Sequence, residues 1–412
     1  MAPRLRSTSA SASALHNVVP GEALRVIWLA LPVDARARAA CVCRSWRAFL
    51  SDVSLWLQLD LTPAGGVAAE RVTENLVRGA VARAAGRLRE LSLNRLATPD
   101  LFFGMSEFLV ELIVSDGAEL QQVNTEVCLR GVAQLKAVFA ASPRLQVLNA
   151  GVEGQCKELI SILRNDPPYG VLRVHELDVW CEAGGVAADD VLALAAAVAA
   201  HDTLDELILF DVPFAPGLNA LLDAAAERRV SRLRLDSCVV DAETVPALVR
   251  LLQRGSLTWL DVACVGFPLA PEASVLELCA ALRACQALIY LRLYLNPQIG
   301  VTRCTVTELL DVAAALPELS ELDLSGSNLL DKGHAGHALG ALLRANLPSL
   351  RVLSVGECRL GDEGMAALLA GLAANTHLRL LECENNSLSA AFKRDRLAPA
   401  LAVLKARAER DA

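Results

Sequence analysis

Apolar positions return along most of this chain in a single spacing. From about Leu88 onward they occupy positions 1, 4 and 6 of a repeat, and position 9 carries Asn, Cys or a small or apolar residue. The clearest copies are Val230-Leu233-Leu235-Cys238, Leu288-Leu291-Leu293-Asn296, Leu350-Leu353-Val355-Cys358 and Leu378-Leu381-Cys383-Asn386. Weaker copies start at Leu88, Leu145, Val174, Leu204, Leu257 and Leu319. The second anchor falls at Leu148, Leu177, Leu207, Leu233, Leu260, Leu291, Leu322, Leu353 and Leu381, in steps of 26 to 31 residues. Alternation at positions 4 and 6 predicts a short strand with both side chains inward. The residue at position 9 can turn inward and bond the backbone of the turn. A helix such as that over 364–372 then returns the chain, and its small alanines let neighbouring helices approach. One such unit cannot bury its apolar face alone, but stacked units can.

Two stretches depart from the pattern. In residues 109–135, Leu109-Leu112-Val114 reads as a strand and Leu120-Val123 as a fragment of another, an irregular or expanded repeat. The charged stretch 390–412 predicts a helical cap, since an outer repeat has no neighbour to cover it.

Ahead of the repeats, residues 15–61 predict three short helices. Leu24, Ile27, Trp28 and Leu31 fall at helical spacing, and Pro32 breaks that helix. A second helix starts near Asp34 and carries Ala39, Ala40 and Val42. A third holds Trp46, Phe49 and Leu50, and the segment closes on Ser54-Leu55-Trp56. A domain this small buries little surface without a neighbour or partner. Residues 62–87 read as a connecting helical segment. Residues 1–14, rich in Arg, Ser and Ala and free of acids, read as a disordered tail.

Composition narrows the function classes. The 412 residues are 54% hydrophobic but only 4% aromatic, so the interior is built of Leu and Ala. The longest apolar run, 191–200, is well short of the roughly 20 residues that span a bilayer. With 39 Lys and Arg against 47 Asp and Glu, the net charge of −8 argues against nucleic-acid or anionic-membrane binding. The 12 Cys are scattered without a CxxC pair, which predicts reduced, mostly buried thiols in a cytoplasmic or nuclear protein.

With these residues in view, the first segment resembles the F-box family. The resemblance rests on Val19-Pro20, Leu24, Ile27, Leu31, Asp34, Val42-Cys43-Arg44-x-Trp46 and Leu55-Trp56. It departs from the family at Val19, where Leu is usual. It also carries a series Arg36, Arg38, Arg44 and Arg47, expected on the solvated face. The repeats resemble the ribonuclease-inhibitor type of leucine-rich repeat, best at Leu360-Gly361-Asp362-Glu363-Gly364-Met365. Together the two imply an α/β chain: a three-helix F-box over 15–61, then a leucine-rich-repeat solenoid over 88–389. Its curved parallel sheet would line the concave face, with helices on the convex face. F-box proteins of this build are similar to substrate receptors of SCF-type cullin ubiquitin ligases. The resemblance therefore implies a non-catalytic subunit, with the F-box docking a Skp-type adaptor and through it a cullin. Pro20, Leu24, Ile27, Leu31, Val42 and Trp46 match the motif positions of that docking surface. Several of them, Val42 and Trp46 above all, would serve equally well as packing between the three helices.

Periodicity alone places the other candidate surface. If positions 4 and 6 face the core, positions 3, 5 and 7 face the open side of the sheet. Trp180, Phe210, Arg232, Arg234, Trp259, Tyr290, Arg292 and Tyr294 then share one face. Trp, Tyr and Arg are the types that dominate interface hot spots. In a chain poor in aromatics, that clustering points to capture of a protein substrate. The arginines would suit an acidic or phosphorylated stretch. Acids at Glu321, Asp323, Glu382 and Glu384 flank the patch. The competing reading is a lateral ladder of side chains that stabilises the sheet.

No catalytic set, metal site or cofactor motif emerges. His334 and His337 have no cluster of Cys or carboxylates near them in sequence, and Asp331-Lys332-Gly333 lacks the context of a phosphate loop. Two alternatives to a ligase receptor remain: a leucine-rich-repeat scaffold without a ligase, and a regulator resembling Ran GTPase-activating proteins. That family resembles this chain in its repeats, but it lacks an F-box.

Overall fold

A computed structural model describes residues 21–63, 65–68, 71–93, 105–155, 159–160, 163–164, 171–180, 188–212, 215–238, 240, 242–263, 272–296, 302–327 and 332–411. The chain divides into two compact units, one of residues 1–154 with 161–176 and one of 155–160 with 177–412. The expected tail 1–14 and Pro20 lie outside the described residues.

The first unit opens with helices α1 (Gly21–Leu29), α2 (Val33–Ala39) and α3 (Arg44–Phe49). Pro32 stands just before α2, and the Cys43 thiol caps α3 by accepting from the Trp46 amide at 3.5 Å. Leu24, Trp28, Leu50 and Trp56 form the core of this segment, and the Trp56 indole donates to the Leu50 carbonyl at 2.7 Å. Strands β1 (Gln58–Leu61), β2 (Glu90–Leu93), β3 (Gln122–Arg130) and β4 (Val147–Gln155) follow, with α4 (Glu74–Ala84), α5 (Met105–Asp116) and α6 (Gly131–Ala141) between them. The strands pair in parallel and in chain order, with Leu59, Leu91, Val123 and Leu148 in register.

Here the structure corrects two expectations. The sheet begins at β1, not near Leu88. Leu59 and Leu61, assigned to the end of the helical segment, point into the core as strand residues. The stretch 62–87, expected to be a connecting helical segment, is helical over α4, which follows β1 as strand and helix of one repeat and is capped by Thr73, whose hydroxyl accepts from the Leu76 amide at 3.3 Å. Residues 109–114 are helix, not strand. Leu109, Leu112 and Ile113 are buried and Val114 faces water. That is the i, i+3, i+4 stripe of a helix.

In the second unit the strands again pair in parallel, in the order β6 (Glu206–Phe210), β7 (Arg232–Asp236), β8 (Trp259–Ala263), β9 (Tyr290–Arg292), β10 (Glu321–Asp323), β11 (Val352–Ser354), β12 (Leu380–Glu382). Strand β5 (Val171–Trp180) runs through the division between the units. Helices α7 (Ala188–Ala200), α8 (Ala215–Arg228), α9 (Val245–Gln253), α10 (Glu272–Leu282), α11 (Arg303–Ala314), α12 (Lys332–Arg344) and α13 (Gly361–Leu372) alternate with the strands. The repeat anchors Leu207, Leu233, Leu260, Leu291, Leu322, Leu353 and Leu381 lie directly opposite one another across the sheet, all buried. Each contributes about 1.5–3 kcal/mol of burial. After β12 the chain is helical from Ala390 to Asp411, and Leu397 and Leu404 are buried.

Position 9 does more than close its own turn. The side chains of Cys238, Asn296, Ser327, Cys358 and Asn386 donate to the carbonyls of Leu209, Val262, Leu293, Leu324 and Val355, one repeat earlier. These bonds tie successive repeats together and satisfy backbone acceptors that would otherwise be buried without a partner. Strand, turn and returning helix recur in this way as a leucine-rich-repeat architecture. No helix among the described residues is long and apolar enough to cross a membrane.

Candidate functional site

The strands of the second unit carry their odd positions on the face away from the buried anchors. Parallel register stacks those positions into rows. One row runs Glu206, Arg232, Trp259, Tyr290, Glu321. The next runs Ile208, Arg234, Asp261, Arg292, Asp323, Ser354, Glu382.

The first row is a continuous stack. Glu206 pairs with Arg232 at 3.1 Å, and the Arg232 guanidinium lies 4.7 Å from the centre of the Trp259 ring. The Trp259 and Tyr290 rings lie parallel, 3.6 Å apart at 10°. In the second row arginines and carboxylates alternate. Arg234 contacts Asp236 at 3.0 Å and Asp261 at 3.6 Å, and Arg292 contacts Asp261 at 3.5 Å and Asp323 at 3.0 Å. Aromatic rings cover both arginines: Phe210 lies 5.3 Å from Arg234, and Tyr294 lies 4.6 Å from Arg292. Asp261, between the two arginines, is only 3% exposed.

This burial sets the protonation behaviour. Desolvation raises the Asp261 pKa, outweighing the opposite pull of Arg292 and Arg234. Desolvation, with Asp261 next in effect, pushes the Tyr290 phenol up to about 12. Glu321 is raised by burial first and then by Asp323 and Glu382.

Seven of the eight residues expected on this face are therefore brought together. The eighth, Trp180, lies in β5, but its side chain is outside the described residues. The lateral ladder set against binding in the sequence reading is physically present. Each arginine already carries carboxylate partners from its own or neighbouring strands, which the repeat spacing does not signal. Those pairs depend on strand register, which composition does not reveal.

The six residues expected to dock an adaptor separate into different roles. Leu24 is 3% exposed and belongs to the core. Trp46 is half-buried, with its ring edge-on to Trp28 at 5.1 Å and 74°. Leu31 is half-buried and lines a cavity beside Pro32. Ile27 and Val42 are outward-facing, 48% and 60% exposed. Pro20 is not described. Of the arginine series, Arg38, Arg44 and Arg47 are exposed as expected, but Arg36 is 5% exposed and points inward.

The first unit has a polar counterpart outside the residues expected from the sequence. Asp60, Ser92, Asn124 and Asn149 stand in register across β1 to β4. Asn124 donates to Ser92 at 3.3 Å, and the Asn149 amide oxygen meets His175 Nδ1 at 3.0 Å. These residues and Thr62 line a recess of about 280 Å³. Counting position 5 in the copies that start at Leu88 and Leu145 would have found Ser92 and Asn149.

No family model matches the chain. It is 33% identical over 193 residues to the ribonuclease inhibitor of Mus musculus, a match covering 45% of this chain and 40% of that protein. The chain thus spans less than half the length of this curated relative. Among solved structures it is similar to the leucine-rich repeat-containing protein LegL7 from Legionella pneumophila, at 17% identity and a TM-score of 0.34, covering 81% of this chain and 94% of that one.

Proposed function

We propose that this chain is a substrate-recognition adaptor of an SCF-type cullin ubiquitin ligase, acting in the cytoplasm or nucleus and carrying no active site of its own. The helices α1 to α3 would dock a Skp-type adaptor, and the open face of β6 to β10 would hold a protein substrate. The observation that carries this reading is the outward Ile27 and Val42, large apolar side chains left in water on a three-helix segment whose sequence resembles an F-box. Exposed apolar surface on so small a segment is what a partner would cover. On the substrate side, the Trp259–Tyr290 stack offers flat, rigid aromatic area of the kind that anchors interfaces. An acidic or phosphorylated substrate stretch would have to compete with Glu206, Asp236, Asp261 and Asp323 for the guanidiniums.

The coarser reading, a leucine-rich-repeat scaffold that binds proteins without a ligase, has its own support. One relative it is similar to is by name an inhibitor of a ribonuclease.

The test is a pulldown of the full chain with a Skp-type adaptor and a cullin, beside an Ile27→Ala, Val42→Ala variant. Both side chains are exposed, so the variant keeps its fold, whereas truncating the buried Leu24 would not discriminate. Capture by the parent and loss in the variant supports the ligase reading. No capture by a folded parent refutes it and leaves the scaffold.

A further inference from the structure

The first unit contains a cavity of about 610 Å³ between α1, α2 and the strands β1 and β2. That volume suits a small molecule rather than a single ion. Three arginines line it: Arg25 from α1, Arg36 from α2 and Arg89 just before β2. Arg36 is the unusual one. Its guanidinium donates to the Leu55 carbonyl and lies 5.5 Å from the centre of the Trp56 ring, so it is held in place. It is buried, yet among the described residues it forms no ion pair and its Nε has no hydrogen-bond partner. Burial lowers its pKa from the ordinary value, as expected for a charge taken from water without a counter-charge. The Ser54 hydroxyl, also in the lining, is likewise buried without a partner. Arg25 and Arg89 are exposed; among the described residues neither forms an ion pair, and Arg25 acts only at longer range on Asp52.

Native proteins satisfy most of their buried polar groups, and two side chains of this one cavity wall, Arg36 and Ser54, each keep a polar atom without a partner among the described residues. Two acids share the lining but are already engaged. Asp60 accepts from the Thr62 amide and hydroxyl, and Glu90 accepts from Gln58 at 2.8 Å. Three arginines against these two acids leave the lining at +1, with more donors free than acceptors. Ile27 sits on the opposite flank of α1 from Arg25 and Leu29, by the 100° advance per residue of a helix, so the cavity is separate from the apolar surface discussed above.

We propose that this cavity binds a small phosphate-bearing ligand, with Arg36 and Ser54 as its inner contacts and Arg25 and Arg89 closing on it from the rim. Phosphate fits better than carboxylate because its oxygens can accept from several guanidinium forks and a hydroxyl at once, and its charge answers more than one arginine.

The experiment is isothermal titration of the full chain with inorganic pyrophosphate at low salt, with citrate as the carboxylate arm. The parent should bind pyrophosphate more tightly than citrate, and an Arg36→Gln variant should lose about tenfold or more in affinity. Because Arg36 also holds the Leu55 carbonyl, an Arg25→Ala, Arg89→Ala variant is measured in parallel. Both of those residues are exposed, and this variant should weaken binding by a similar factor while its circular dichroism stays unchanged. Absence of pyrophosphate binding, equal affinity for citrate, or undiminished affinity in the folded rim variant would each overturn the proposal.

Discussion

Replacing Gly371 by Ala should destabilise α13, although the same change in an ordinary helix stabilises it. A Cβ built on Gly371 would lie 2.1 Å from the carbonyl oxygen of Gly340 in α12 and 2.6 Å from its Cα. The contact is mutual: a Cβ on Gly340 would meet the Ala367 carbonyl oxygen at 2.5 Å, and one on Gly336 would meet that of Gly364 at 2.2 Å. These neighbours are backbone atoms, so no side chain can swing aside. Relief requires the two helices to part by about an ångström, given ordinary contact distances of about 3.5–4 Å. Overpacking of this kind costs about 1–3 kcal/mol. Against it stands the gain in helix propensity on replacing Gly by Ala, about 1 kcal/mol. The clash therefore wins or at least cancels the gain. Gly79 in α4 supplies the contrast, because its added Cβ would meet only the tip of Arg83, at 3.2 Å. There the propensity gain stands nearly alone, and Gly79→Ala should stabilise by about 0.5–1 kcal/mol. Repeat arrays can open piece by piece, so a global melting curve could blur the two effects. Hydrogen–deuterium exchange followed peptide by peptide reads each helix separately. Faster exchange in α12 and α13 of Gly371→Ala, with slower exchange in α4 of Gly79→Ala, is the expected pair of results. If Gly371→Ala slowed exchange in α13 as well, the close approach of the two helices would be refuted.

Three further outcomes follow from the geometry. A double-mutant cycle of Trp259→Ala and Tyr290→Ala, read by urea unfolding, should return a coupling of about 0.5–1.5 kcal/mol for the stacked rings; zero coupling would mean they do not stack in solution. Asn386→Ala should cost at least about 2 kcal/mol, since it strips donors from the Val355 and Cys383 carbonyls and an acceptor from the Leu360 amide; a cost below about 0.5 kcal/mol would contradict the buried bonds. Alkaline pH should unfold the protein. Burial pushes the thiols of Cys279 and Cys358 from 9.0 up to about 12 and those of Cys285 and Cys383 up to about 11. The folded state thus holds these protons more tightly than the unfolded chain does. Their contribution is fully present below pH 9 and falls away as pH rises towards 12. A melting temperature that is level near neutrality and drops above pH 9 is expected, and one still level at pH 11 would show that the thiols are not buried.

The second unit was readable in outline from spacing alone, because a strand forces alternate residues to opposite sides and a leucine every 26 to 31 residues can be buried only by stacking on its equivalents. The anchors predicted from Leu207 to Leu381 are the residues that face one another across the sheet. The first unit was harder. Leu109, Leu112 and Val114 fit a strand template as well as a helical one, and only the burial of Ile113 beside Leu112 separates the two. The alternation Leu59-x-Leu61 was in view, but a strand without a recognised partner looks like the tail of the segment before it, and its partner β2 is about thirty residues away.

In the second unit, local spacing was enough to give the type of repeat and the side chains that turn inward, since both follow from periodicities within a few residues. Which charges meet, by contrast, depended on the folded arrangement. Arg232 and Glu206, or Arg292 and Asp261, lie a whole repeat apart in sequence and become neighbours through strand register. Arg36 was expected in water like the arginines around it, and it is buried because α2 packs against α4 and β1. A charge's surroundings depend on elements distant in the chain, so no local pattern could have placed it.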